Sequence, residues 1–194
     1  MLIRAHVRSI IERYITDIEA NNFDYVIRKL DYPGRYEFYT VMKSVGIDPL
    51  LYLESVPAHL FSGSDITEIR LPPNIKRLEE NVFTNCNKLT KVYLPDNLTQ
   101  ICYGAFDNCS ELQEIRLSPY TDLIATVAFR RCKNLTKIIL PESITHIGAD
   151  AFAECSKLNI YCESQGNPSR DTIVSEWNPS DCLIHYNYHG GQVI

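Results

Sequence analysis

Cys86, Cys109, Cys132 and Cys155 stand 23 residues apart, and this period restricts the possible folds more than anything else in the chain. Phe83, Phe106, Phe129 and Phe152 keep the same interval, as do Leu71, Leu94, Leu117 and Leu140 and the column Ile69, Val92, Ile115, Ile138. Ile66, Leu89, Leu112, Leu135 and Leu158 open successive units, and a small residue precedes each Phe at Val82, Ala105, Ala128 and Ala151. At least seven positions per unit agree through four units, which excludes coincidence. A period of this length marks a solenoid. One unit cannot bury its own Leu, Ile and Phe, whereas stacked units place like on like and bury a continuous core.

Within a unit the pattern LxxIxL alternates, so it forms a short strand with alternate residues pointing inward. Pro72, Pro95 and Pro141 end that strand, because proline has no N–H to give to a ladder. A turn, a second apolar pair such as Ile144 and Ile147, and the AFxxC turn complete the coil. In the third unit Ser118, Tyr120 and Thr121 replace the usual proline and apolar residue, and a looser turn is expected there. Residues 56–66, VPAHLFSGSDI, read as a half repeat shortened by one residue, since Val56 and Phe61 reproduce the Ile-to-Phe spacing of ITHIGADAF. After Leu158, the segment Asn159-Ile160-Tyr161-Cys162 starts a fifth strand with one residue missing.

The unit LTKIILPESITHIGADAFAECSK, residues 135–157, resembles the BspA-like leucine-rich repeats, whose pattern is roughly LxxIxLPxxIxxIGxxAFxxCxx. The likeness covers about residues 52–187, including the ending SEWNPSDCLIHY. It implies a leucine-rich-repeat solenoid of short parallel strands and turns, wound as a right-handed coil. It also implies surface adhesins or host-interaction proteins among the possible functions. Residues 36–61, YEFYTVMKSVGIDPLLYLESVPAHLF, resemble the leader of short repeat proteins of tailed-phage genomes.

A solenoid hides its open ends with atypical units. Ile3, Val7, Ile10, Ile11, Tyr14 and Ile18 lie at helical spacing over residues 3–20, and Phe23, Val26, Ile27 and Leu30 suggest a second helix capped by Asn21 or Asn22. Pro33-Gly34 is expected to break the chain, with a third helix from Tyr36 to Val45 ending at Gly46. The expected organisation is an α-helical N-terminal cap over residues 1–50, repeats over 51–164 and a C-terminal cap over 165–194 holding Trp177 and the Asn178-Pro179 turn. The repeats divide into a half repeat at 52–65, units at 66–88, 89–111, 112–134 and 135–157, and a partial unit at 158–164. The helical segment could instead be an interaction or dimerisation module, making a homo-oligomer.

With a net charge of −5 and a pI near 5.5, the chain has no electrostatic call on nucleic acid or anionic membrane. No run approaches the roughly 20 apolar residues that cross a bilayer. Arg8, Glu12 and Arg13 interrupt the apolar residues near the start, so no secretory signal is read and a cytoplasmic protein is expected. An export signal in the gene would make it a cell-surface protein instead. Of seven cysteines, four fall on the period and are expected to be buried, reduced and bonded to turning backbone. Cys182, His185 and His189, with Cys162, have zinc-like spacing, but Cys182 to His185 falls on a strand whose residues alternate sides, so no metal is expected. Neither a phosphate loop nor a nucleophile or paired-carboxylate motif occurs, and the chain is read as non-enzymatic, with no cofactor.

The strand residues that face away from the core are the functional candidates. One column runs Glu68, Lys91, Glu114, Lys137, Asn159, and its alternating signs should pair across strands about 4.8 Å apart. The next runs Arg70, Tyr93, Arg116, Ile139, Tyr161, with Tyr93 expected between two guanidinium groups. A protein partner is expected to bind Arg70, Tyr93, Arg116, Ile139 and Tyr161, with Lys91 and Lys137 alongside. A surface ladder satisfied by its own charges is the competing reading.

Overall fold

A computed structural model describes residues 9, 12–163, 182–186, 188–189 and 192–193. The alternating LxxIxL segments become β2 (Glu68–Arg70), β4 (Lys91–Tyr93), β6 (Glu114–Ile115), β8 (Lys137–Leu140) and β10 (Asn159–Cys162). They pair in parallel, one coil on the next, and β11 (Leu183–His185) closes the far edge of a six-stranded sheet. Asn159 pairs with Lys137, an offset of 22 (159 − 137), so one residue is indeed missing from the last unit. Val92, Ile115, Ile138 and Ile160 point inward and are at most 4 % exposed.

The second apolar pair of each coil, expected between two turns, contributes to a second parallel sheet. β1 (Ser55–Val56), β3 (Arg77–Leu78), β5 (Gln100–Ile101), β7 (Leu123–Ile124) and β9 (His146–Ile147) stack in that order. Each is two residues long and buries one of them: Val56, Leu78, Ile101, Ile124 and Ile147 are fully enclosed. Between the sheets runs the phenylalanine column. Phe61, Phe83, Phe106, Phe129 and Phe152 stack nearly parallel, with successive centroids 5.2, 5.1, 5.1 and 5.6 Å apart.

Each periodic cysteine donates its Sγ–H to the carbonyl of the Phe one coil back. Cys86 bonds Phe61 at 2.9 Å, Cys109 bonds Phe83 at 3.1 Å, Cys132 bonds Phe106 at 3.2 Å and Cys155 bonds Phe129 at 3.0 Å. A small side chain that reaches backwards is what the position demands, and cysteine meets it without introducing a strong polar group. Burial pushes these thiols above their ordinary value, Cys155 to about 12.

The turns need two left-handed residues per coil. One column is His59, Asn81, Gly104, Val127 and Asp150; the other is Gly63, Asn85, Asn108, Arg131 and Glu154. The third unit is no looser than the rest. Ser118 occupies the proline position and the Thr121 N–H bonds its carbonyl at 3.1 Å, matching Ile75 to Pro72, Leu98 to Pro95 and Ile144 to Pro141 at 3.2 Å. Two hydroxyls make this possible: Ser118 Oγ donates to the Asp96 carbonyl, and Thr121 Oγ1 donates to the Leu98 carbonyl at 3.2 Å. Both side chains are buried and satisfied, so the polar exchange is accommodated.

At the N-terminal end lie α1 (Ile15–Glu19), α2 (Phe23–Arg28), α3 (Tyr32–Ser44) and a 3₁₀ turn at Pro49–Tyr52. The expected positions Ile3, Val7, Ile10 and Ile11 lie outside the described residues, as do Trp177, Asn178 and Pro179. Neither Asn21 nor Asn22 caps α2 through its side chain; Asn21 is left-handed and ends α1. Pro33-Gly34 does not break the chain but sits in the first turn of α3, where Asp31 accepts from the Gly34 N–H at 3.1 Å. Proline there loses no helical bond, because first-turn N–H groups have no partner within the helix. Ile18, Phe23, Val26, Ile27, Leu30, Phe38 and Met42 join the same apolar core as the coils. Tyr36 and Tyr39 lie edge-on to Phe61, covering the open end of the stack. No helix among the described residues is long and apolar enough to cross a membrane.

Candidate functional site

Parallel register brings the outward residues of the six-stranded sheet into rows. Glu68 lies beside Lys91, Lys91 beside Glu114, Glu114 beside Lys137, and Lys137 beside Asn159. The expected ion-pair ladder does not close. Among the described residues none of these neighbours makes a direct ion pair. The lysines lean onto tyrosine rings instead: Lys91 Nζ is 5.0 Å from the centroid of Tyr93, and Lys137 Nζ is 4.8 Å from that of Tyr161. An exposed ion pair is worth little after screening and lost side-chain entropy, and a ring beside the stem offers comparable attraction with packing added.

The second row also departs from expectation. Tyr93 is not held between two guanidinium groups. Arg70 stacks on it, with Cζ 3.9 Å from the centroid, and the second cation is Lys91 rather than Arg116. Arg116 lies just past the end of β6 and, among the described residues, its side chain makes no hydrogen bond, ion pair or ring contact. It lines two open depressions. One, of about 350 Å³, is shared with Arg70, Lys91, Tyr93, Asp96 and Glu114. The other, of about 430 Å³, is shared with Gln113, Glu114, Lys137 and Ile139. A third depression runs from Arg70 and Tyr93 to Tyr120, which is 65 % exposed.

Tyr161 belongs to a different environment. His185 of β11 stacks on it at 4.6 Å, and Tyr188 of the hairpin formed by β12 (Tyr188–His189) and β13 (Gln192–Val193) tilts against it at 4.9 Å. Lys137 Nζ donates to the Tyr188 hydroxyl at 2.9 Å. This end of the row is filled by the chain itself. The expected surface therefore divides. Arg70, Lys91, Tyr93, Arg116 and Ile139 remain available around the depressions, while Lys137 and Tyr161 help close the far end.

Sequence reasoning missed Tyr120 as a lining residue, although its departure from the repeat was a usable signal. Tyr188 and His185 left no such signal, since they come from outside the period. Among the described residues no three His, Cys, Asp or Glu side chains converge as metal ligands.

Residues 54–167 match the family model described as the BspA type leucine rich repeat region, in six copies. The chain is also similar to solved structures. A leucine rich repeat protein from T. pallidum is 29 % identical, with a TM-score of 0.55 over 56 % of this chain and 52 % of that one. A leucine-rich repeat protein from Bacteroides ovatus is 33 % identical, with a TM-score of 0.53 over 56 % of this chain and 28 % of that one. A leucine rich cell surface protein from Faecalibacterium prausnitzii shares the fold at 24 % identity, with a TM-score of 0.53 over 59 % of this chain and 30 % of that one. The matched region thus spans about half of the first protein and under a third of the other two. No curated protein matches the chain.

Proposed function

The chain belongs to the BspA-type leucine-rich-repeat family, and from that premise we propose that it is a non-enzymatic protein-interaction module whose partner docks on the outward face of the six-stranded sheet. The observation that carries this reading is the unpartnered Arg116 between two depressions, one of which it shares with the Arg70–Tyr93 stack. Tyrosine and arginine dominate the energetic centres of protein interfaces, and side chains fixed on a sheet lose less entropy on association. The helical segment over residues 1–50 serves as a cap, which fits its apolar residues lying in the common core. Residues 51–164 are read as the array, and among the described residues after it Leu183–His185 pair with its last strand.

Free thiols bonded to carbonyls favour a reducing compartment, so we place the protein in the cytoplasm. A surface adhesin is the second reading, supported by the fold shared with the F. prausnitzii cell surface protein; protease accessibility on intact cells separates the two. A phage accessory factor rests on the leader resemblance alone.

The docking test is affinity capture from native cells with three baits: wild type, Tyr93→Ala/Arg116→Ala, and Tyr103→Ala. Tyr103 lines a depression beside the five-stranded sheet and is 50 % exposed, which makes it the control. For a captured partner, Tyr93→Ala by itself should weaken affinity by at least about 1–2 kcal/mol, the cost that separates an anchor from a bystander, with the melting temperature held. A partner that survives the Tyr93/Arg116 pair but is lost with Tyr103→Ala would place the interface on the other sheet.

A further inference from the structure

The two sheets do not end together. The five-stranded sheet begins at β1, one coil before the six-stranded sheet begins at β2. The N-terminal segment covers the earlier coil: Tyr36 and Tyr39 close on Phe61, and the Asn74 amide holds the carbonyls of Leu50 and Leu53. Among the described residues nothing equivalent reaches β2, which pairs only with β4 and receives no backbone hydrogen bond from its other side. Burial records the same gap. Ile66 and Ile69 are only half-buried, whereas Leu89, Leu112 and Leu135 and Val92, Ile115 and Ile138 are all at most 4 % exposed.

An open parallel edge with apolar residues behind it is a template for another strand. The residues on this edge say which strand fits. Glu68, Ile69 and Arg70 read as acid, apolar, base, and Glu68 and Arg70 are both exposed on the outward face. We infer that β2 joins β2 of a second copy of this chain, antiparallel about a two-fold axis through Ile69. In that register Ile69 faces Ile69 of the partner subunit on the core side. Glu68 faces Arg70 of the partner subunit, and the symmetry repeats that pair, with Cβ atoms about 4.5–5.5 Å apart as in any antiparallel ladder. Among the described residues the row Lys137, Glu114, Lys91, Glu68 ends in an acid with no cation paired beyond it. The second copy supplies that cation as the partner subunit's Arg70 and extends the alternation by one residue across the axis. The two six-stranded sheets become one sheet of twelve (6 + 6). A three-residue ladder is much smaller than the roughly 1,600 Å² of a standard interface, so dissociation belongs on the order of 100 µM.

The charges make the test self-controlled, and it needs no foreign partner, so its failure is separable from failure of the proposed docking face. Sedimentation equilibrium on the full chain up to about 1 mM, an order above the weak constant expected for so small a contact, should show reversible dimers. Glu68→Arg and Arg70→Glu should each associate far more weakly alone, with dissociation constants raised at least tenfold, because each places like charges opposite twice. Mixed one to one, the two variants should dimerise, since every cross-pair is then opposite in sign. The double exchange Glu68→Arg/Arg70→Glu should dimerise alone. Rescue by mixing cannot arise from misfolding. A monomeric wild type over this range, single variants that dimerise as well as wild type, or a mixture that stays monomeric would each overturn the inference.

Discussion

Replacing Phe106 with Ala removes the middle ring of a five-ring stack. Phe106 is fully buried, with Phe83 and Phe129 each 5.1 Å away and within 12° of parallel. A buried aromatic side chain hides at least about 150 Å², and at about 25 cal/mol per Å² that amounts to about 4 kcal/mol of transfer free energy. The two flanking rings are themselves locked between coils and cannot collapse into the gap, so a cavity remains. The expected loss is therefore about 3–5 kcal/mol, in the range found for large aromatic truncations. For a chain of this size each kcal/mol lowers the melting point by about 2–4 °C, which gives a fall of about 6–20 °C. Urea titration followed by circular dichroism measures the free energy directly, and differential scanning calorimetry measures the midpoint. Phe106→Leu should lose less, because most of the volume stays. A midpoint shift under about 2 °C, the effect of at most about 0.5–1 kcal/mol, would mean that the column does not carry the stability assigned to it.

Three further outcomes follow from other parts of the molecule. Burial raises the periodic thiols above the ordinary value of 9.0, so the native state keeps protons that unfolded thiols release; stability should be flat below about pH 9 and decline from there towards 12, with alkylation of native protein slow at Cys109 and Cys132. Intact-mass analysis after alkylating unfolded, unreduced protein checks that all four periodic thiols are free, and a disulfide between any two would contradict the packing. Burial would raise the Glu79 carboxyl, but bonds from Arg28, Ser55 and the Ala58 N–H outweigh it and hold it low. That stabilisation is complete above the ordinary carboxylate pKa and lost as pH falls through the native value, so hydrogen exchange in α2 and α3 should quicken in acid before the coils do; Glu79→Ala should cost about 1–3 kcal/mol at neutral pH, read by urea titration. Gly148→Ala should destabilise by at least about 1–3 kcal/mol in the same titration, because the new Cβ would lie 2.2 Å from the Thr126 backbone nitrogen in the coil beneath.

Most of the fold was legible because the period reports stacking directly. The columns read from spacing line up coil on coil: Phe83 to Phe152 stack ring on ring, Ile69 to Ile138 follow the strand register, and Cys86 to Cys155 each bond a Phe carbonyl of the coil before. What spacing could not show is what a residue does within its coil. Strands of two residues such as Gln100–Ile101 have no internal alternation to betray them and exist only because the next coil supplies partners. Proline both stops and starts helices, and Asp31 decides the matter for Pro33 by capping ahead of it. The departure at Ser118 and Thr121 suggested looseness because hydroxyls replace apolar groups, yet those hydroxyls find carbonyls in the previous coil. On the candidate surface the register of every side chain was readable, but rotamer choice was not. Lys91 can reach either Glu114 or Tyr93, and only the packed geometry shows that it takes the ring.

The left-handed columns bear on how such an array can lengthen. Each duplicated coil brings two positions that L-residues dislike, at about 1–2 kcal/mol unless Gly or Asn stands there. The coil at 89–111 carries Gly104 and Asn108, so a tandem copy of it adds almost no steric cost. The coil at 112–134 carries Val127 and Arg131, and a β-branched residue at φ 52° is among the worst tenants of that region. Duplication events in the gene are thus unequal at birth: a copy of the first can persist unaltered, whereas a copy of the second arrives already in need of a compensating substitution at its valine.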